Sequence, residues 1–433
     1  MDELIELNRG NLGDFPLLSW FEQFRLKLKN QKGWIMKKFL QITAFLPCVL
    51  AGGMLFAQAG GSAPAAMSSA PAAAPAETAN SSMISDFQAK FDAYKASAAK
   101  IQKLQEEFEE AGKKQDQARI REIQAAAPAL LKEAEQTFMA AVPVALNAYA
   151  NSDGKNAELN QFMLTYANYL LTQDNYDEAY RMFTAFLSKG MHKSHPEIFE
   201  MAGVSAFGAN RFNAALKCFD YAKQTGAQLS RQAQSYADSI KNYYVEAWGD
   251  EMALRQKEAQ ADNLPRVLIR TSVGDMVVEL FENEAPNTVK NFVTLVESGF
   301  YSNLPFHRVL AGFMAQGGCP KGDGTGGPGY TVPEEYSKDN ARKHFRGSLA
   351  MARSMDPNSA GSQFYITFLP NQSLDANYTV FGRVIDGMGV LSKIERIDPQ
   401  NPYPGQNPSK ILEMKVIRKQ NHDYSNFTKG PDK

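Results

Sequence analysis

The chain is poor in the residues that build metal centres and disulfide frameworks. Among 433 residues there are three cysteines, Cys48, Cys218 and Cys319, and five histidines. The cysteines lie far apart and form no CxxC pair, so neither a disulfide scaffold nor a structural zinc site is expected. His192 and His195 are the one close histidine pair and read as a solvated feature. Neither a metal nor a cofactor is expected. A surplus of one charge is also missing, since 46 Lys and Arg face 47 Asp and Glu. That balance does not suit a phosphate backbone, which argues against nucleic acid as a partner. The glycine-rich run GDGTGGPG, residues 322–329, resembles a phosphate loop only superficially, because no Lys-Ser/Thr follows it. It reads as a flexible loop.

What is present is a globular composition, 44% hydrophobic and 21% charged, long enough for two or three domains. Its most apolar stretch, residues 39–56 (FLQITAFLPCVLAGGMLF), follows Met36-Lys37-Lys38 and precedes the small-x-small pattern Ala57-Gln58-Ala59. Residues 36–59 therefore read as a cleaved export signal, placing the mature protein in the periplasm or outside the cell. Gln41, Thr43, Pro47 and Gly52-Gly53 weaken the stretch as a permanent span, so membrane attachment is expected only if it stays uncleaved. Residues 1–35 are an unusual lead, and Met36 is the expected start; an extended leader would instead lay Trp20, Phe21 and Phe24 on the membrane. Residues 60–83, almost wholly Ala, Pro, Ser and Gly, read as an extended tether.

Residues 84–262 carry helical periodicity. Ile101, Leu104, Phe108 and Ala111 recur at helical steps in a run without proline until Pro128, and a second helix is expected from about Ala125. Further on, Ala167, Tyr176, Ala179 and Phe183 match Gly203, Phe212, Ala215 and Phe219 at a spacing of 36 residues. This resembles a pair of tetratricopeptide repeats, with a capping helix near Gln232–Tyr244. Small residues would let paired helices approach while aromatics fill the space between hairpins. Such repeats either present a groove to a client or partner protein or serve as a spacer or self-association surface.

After Leu264-Pro265 the texture changes. VLIRTSVGDMVVELF predicts a hairpin around Val273-Gly274-Asp275, and NTVKNFVTLVESGFY an amphipathic helix. Short apolar strands and glycine-rich loops follow, as in a closed barrel. Residues 421–433 read as a polar tail.

Three segments stand out within residues 264–420: FHRVLAGFMAQGG from Phe306, GSQFYIT from Gly361 and LDANYTVFGRV from Leu374. Together they resemble the cyclophilins, peptidyl-prolyl cis–trans isomerases. The resemblance covers about Val267 to Ile417 and implies an eight-stranded antiparallel β-barrel capped by two helices, behind the α-helical hairpin domain. It also implies proline-containing polypeptides as substrates, including unfolded exported proteins, and no cofactor. Rotation about an X-Pro bond faces a barrier of roughly 18–20 kcal/mol and breaks no covalent bond, so no nucleophile is needed. The prolyl nitrogen gains a lone pair as the amide twists, and a fixed donor favours that state over the planar ones. Arg308 is the expected donor, its charge permanent and its fork rigid.

By the same resemblance, Phe313, Met314, Tyr365 and Leu374 line the proline pocket, with Phe381 behind them. Gln316 and Gln363 match the polar positions that hold substrate backbone or orient Arg308, and Ala352 with Arg353 matches the edge that pairs with extended peptide. The sequence departs from common members at four places. Arg353 replaces Asn, Tyr365 replaces Phe, Ser373 replaces Trp, and Tyr378 replaces His as in bacterial-type members. The missing Trp puts cyclosporin binding in doubt, and Arg353 suggests a preference for acidic flanking residues. His307 and Cys319 read as structural, Cys319 as an unpaired loop thiol. The competing reading is a non-catalytic proline-peptide binder whose helical repeats carry the function.

Overall fold

The computed structural model describes residues 75–402 and 406–430. The expected leader, the signal and most of the tether lie outside the described residues. Helix α1 (Pro75–Lys114) already opens within the span expected to be tether, with proline at its start, where the missing N–H costs nothing. Helix α2 (Gln117–Asn151) begins well before Ala125 and carries Pro128 and Pro143 inside it. The break between them is set by turn chemistry rather than proline: Gln115 is left-handed at φ 55°, and the Asp116 carboxylate accepts from the N–H of Arg119 at 3.0 Å. Within residues 95–136, Ile101, Leu104, Ile123, Ala127, Leu131 and Ala134 form a small core of their own. Among the described residues no helix is long and apolar enough to cross a membrane.

Two helical hairpins follow: α3 (Ala157–Thr172) with α4 (Tyr176–Ser188), and α5 (Ile198–Gly208) with α6 (Phe212–Gln224). The small residues do what the spacing implied. A Cβ on Gly203 would lie 2.4 Å from the Phe219 ring, and one on Gly208 2.3 Å from the Tyr176 ring, so only glycine admits these aromatics. The capping segment is longer than expected: α7 (Arg231–Ser239) runs through a π turn, Ile240–Tyr244, into α8 (Val245–Ala261). Phe207, Phe212 and Phe219 pack there with Ile240 and Tyr244, and with Phe345 and Leu369 of the following domain.

That domain is one antiparallel sheet of β1 (Arg266–Thr271), β2 (Gly274–Leu280), β3 (Leu304–Pro305), β4 (Arg308–Leu310), β5 (Met314–Gly317), β6 (Ser348–Met351), β7 (Phe364–Thr367), β8 (Val380–Asp386) and β9 (Lys410–Arg418). The spatial order is β3-β9-β1-β2-β8-β6-β7-β5-β4. Its two end strands, β3 and β4, are halves of one segment, Leu304 to Leu310. The first half pairs with β9 and the second with β5. The chain itself thus joins the sheet's two ends, and counting the segment once gives the expected eight strands. Pairing of Thr271 with Gly274 puts the first turn at Ser272-Val273, one residue before the expected position.

Inside the curled sheet, Val267, Val278, Leu349, Phe364, Ile366 and Phe381 pack against Phe292 of α9 (Pro286–Glu297). Of the two expected capping helices, α9 is α-helical, whereas the second is a short 3₁₀ segment, Met388–Lys393, entered through left-handed Gly387. Residues 421–430 are not a loose tail. Tyr424 is buried in the same core, donating its hydroxyl to Glu282 at 2.8 Å, and Thr428 N–H donates to Asn287. Aromatics at 424 and 427 within a polar stretch supply the apolar area that fixes it.

Candidate active site

Strand alternation sorts the three motifs onto two faces. On β5, Ala315 points into the barrel core while Met314 points outward. On β7, Phe364 and Ile366 point in and Tyr365 out; on β6, Leu349 and Met351 point in and Ala350 out. The outward side chains Met314, Ala350, Tyr365 and Val380 form a second apolar cluster with Leu264 and Phe281. Phe313, Ala352, Leu374 and Tyr378 lie half-buried against it. The structure therefore brings together Phe313, Met314, Ala352, Tyr365, Leu374 and Tyr378.

Phe381 is not among them. It lies on the opposite face of β8, fully buried in the barrel core with its ring 5.1 Å from Phe292. The residue that β8 sends to the pocket face is its neighbour, Val380, which the sequence reading missed. Period-two alternation makes the two positions exclusive.

Arg308 stands on β4 directly opposite Gln316 on β5, so the two side chains share a face. Its guanidinium lies 5.8 Å from the centre of the Phe313 ring. Among the described residues it has neither a carboxylate partner nor a side-chain hydrogen bond. Gln316 does not bond to Arg308; its amide donates to Oε1 of Gln363 at 3.0 Å. Gln363 in turn donates to the carbonyls of Gly324 and Gly326, at 2.8 and 2.9 Å. The glycine-rich loop is thus tied down rather than free. Cys319 shares in this: it is buried, and its Sγ accepts from the N–H groups of Gly324 and Gly326, each at 3.2 Å. Beside it Gly318 is left-handed at φ 81°, and a Cβ there would lie 2.4 Å from the Ser362 carbonyl.

Arg353 is also engaged. It donates to the carbonyls of Asn377 and Ser354, both at 2.8 Å, and its guanidinium lies 4.9 Å from the centre of the Tyr378 ring. The Ala352 N–H is used by the Gln363 carbonyl at 2.9 Å. A groove of about 520 Å³ runs between this edge and the 324–329 loop, with Gln316 and Gln363 on its wall. His307 points away from Arg308, 8% exposed, with its Nδ1 unpartnered, and burial lowers its pKa. The Tyr365 hydroxyl is held at 2.9 Å from Nε2 of His344, and burial raises its pKa well above the ordinary phenol value, keeping it protonated. His344 and its partner Asp375 were not foreseen. A tyrosine at 365 implies a buried hydroxyl in need of a partner, but nothing in sequence says which residue supplies it.

The family described as "Cyclophilin type peptidyl-prolyl cis-trans isomerase/CLD" matches residues 266–416, the span of the barrel. A peptidyl-prolyl cis-trans isomerase of Helicobacter pylori is 46% identical over 163 residues, 37% of this chain and 92% of its own. One from Synechococcus elongatus is 47% identical over 154 residues, 36% of this chain and 97% of its own. A solved cyclophilin-type isomerase of Cryptosporidium parvum, crystallised in the presence of the dipeptide Ala-Pro, is 34% identical. It covers 36% of this chain and 99% of its own, with a TM-score of 0.33. On the strength of the sequence identity to the Helicobacter and Synechococcus isomerases and the near-complete coverage of both, the chain belongs to the family of cyclophilin-type peptidyl-prolyl cis-trans isomerases.

Proposed function

We propose that the outer-face cluster is the proline pocket and that Arg308 drives the isomerisation from its edge. The observation that carries this reading is a guanidinium with no carboxylate or hydrogen-bond partner among the described residues, set over Phe313 beside an apolar cluster. An unpaired cation there is desolvated on one side and free to donate to a twisting prolyl nitrogen. Phe313, Met314, Tyr365 and Leu374 take the ring. Dryness favours the twisted state as well, since the planar amide is the more charge-separated form. The Gln316 side chain, fixed through Gln363, faces the substrate backbone. Pairing with extended peptide falls to the backbone of Arg353, because the Ala352 N–H is already used. Arg353 and Tyr378 face the residues flanking the proline.

The biological setting is export: residues 36–59 support delivery across a membrane, and unfolded exported proteins with X-Pro bonds are the clients, met by the helical hairpins. Amino-terminal sequencing of the mature protein checks this part, with a start near Gly60 expected and an intact Met1 opposing it. The catalytic part is tested by a protease-free assay that follows cis-to-trans relaxation of Ala-Pro and Glu-Pro peptides. Wild type should accelerate relaxation, and Arg308→Ala should lose about 10²–10³ of kcat/KM, the scale for removing one transition-state donor. Binding without acceleration by wild type would mark the barrel as a peptide-docking module instead.

A further inference from the structure

The wall of the pocket cluster continues into the helical region. Asp375, which follows Leu374, accepts from the His344 backbone N–H at 2.8 Å and from the hydroxyl of Tyr243 at 2.5 Å. Tyr243 takes Oδ2, while Oδ1, the oxygen that accepts the backbone N–H, also lies 2.8 Å from Nδ1 of the His344 ring. A carboxylate only accepts, so Nδ1 donates its proton to Asp375, and Nε2 on the far side of the ring lies 2.9 Å from the Tyr365 hydroxyl. One chain of bonds thus runs from Tyr243 through Asp375 and His344 to Tyr365. His344, at the centre of the chain, is fully buried.

A second bond comes from the same turn of helix. The Tyr244 hydroxyl accepts from the N–H of Gln372 at 2.8 Å, at the start of the 3₁₀ turn that carries Leu374. Both tyrosines belong to the π turn Ile240–Tyr244. A π turn is rare, interrupts the α-helix by a single turn, and is frequent at functional sites. Here it directs two consecutive hydroxyls at one loop. A third tie lies at the other edge. The Asp174 carboxylate, at the end of the α3–α4 hairpin, accepts from the N–H of Gly312 at 2.8 Å, immediately before Phe313.

We propose that the π turn Ile240–Tyr244 is a positioning element for the isomerase, in which Tyr243 sets Tyr365 and Leu374 through Asp375 and His344. This rests on the reading of Tyr365 and Leu374 as pocket walls. The helical region then completes the pocket in addition to meeting clients.

The test is a double-mutant comparison on the full chain with an Ala-Pro peptide. Tyr243→Phe removes only a hydroxyl, and kcat/KM should fall about five- to tenfold, mainly through KM, the upper part of the range for losing one ordinary hydrogen bond. Combined with Tyr365→Phe, which cuts the far end of the chain, the losses should be non-additive, the double variant falling at least threefold short of the product. Tyr244→Phe should raise KM on its own. Tyr236→Phe, which removes a hydroxyl bonded to Gln232 within the same helical region, should leave the rate unchanged. Assays run well below every variant's melting point separate these effects from loss of fold. Additive losses, or an unchanged KM in both Tyr243→Phe and Tyr244→Phe, overturn the proposal. Leu374→Ala separates the two levels. If it raises KM while the tyrosine variants do nothing, only the positioning role fails; if it leaves KM unchanged, the pocket reading itself fails.

Discussion

Arg342 and Arg308 lie on the same domain in opposite surroundings. Arg342 is buried where α8 meets the barrel, bonded to Glu251 at 3.0 Å, to Glu258 and to Glu284, with its guanidinium 3.8 Å from the centre of the Phe281 ring. Desolvation pulls its pKa down, but Glu251 and Glu258 outweigh burial and hold it above the ordinary arginine value. Arg383 joins the cage through Glu279 and Glu258, at 2.6 and 2.7 Å. Among the described residues Arg308 has no such company. A charge meant to hold two elements together is surrounded by counter-charges. In the role proposed for Arg308, a charge that serves a transient dipole is left open, since a resident carboxylate would compete with the substrate.

The first way to sharpen this contrast is Arg342→Met. Removing one member of a buried cage leaves the carboxylates uncompensated, and a loss of about 3–5 kcal/mol in urea unfolding is expected. A loss under ~1 kcal/mol would make the two arginines alike. A second comparison sets the two faces of the sheet side by side. Phe381→Ala hollows the barrel core and should cost about 3–5 kcal/mol. Leu374→Ala, on the half-open face, should cost no more than about 1–2 kcal/mol while raising KM roughly three- to tenfold. Equal stability losses would erase the distinction between core and pocket.

The smallest effect concerns His307, the chain neighbour of Arg308. Burial holds its pKa below the ordinary value of 6.5, so the folded state resists a proton that the unfolded state accepts. Stability from this group is complete above pH 6.5 and is lost as pH falls below it, by no more than about 1.4 kcal/mol per pH unit. His307→Gln should flatten that part of the stability profile without altering the acid loss carried by carboxylates. An unchanged slope would show that His307 does not titrate with unfolding.

Much of the fold was legible because it rests on local periodicity. The 36-residue repeat located the hairpins, and Gly203 against Phe219 shows why the small residue had to be there. The outer-face cluster was legible through motif resemblance, whereas that Phe381, expected behind it, belongs to the barrel core and Val380 to the outer face was not, because resemblance gives neighbourhood without strand parity. The helix break at Gln115 was hidden because it depends on one left-handed residue and an Asp116 cap rather than on proline. Contacts distant in sequence were beyond reach altogether. Tyr243 and Asp375 are separated by 132 residues, and nothing local to either announces the other.

The central claim is that Arg308 is unpaired because it serves the reaction and not the fold. Arg308→Ala measured for both isomerisation rate and thermal midpoint tests this most directly. The account predicts a loss of about 10²–10³ in kcat/KM with a midpoint shift of no more than about 2 °C, because little stabilising interaction is removed. A midpoint that falls by several degrees with the rate per folded molecule intact would contradict it.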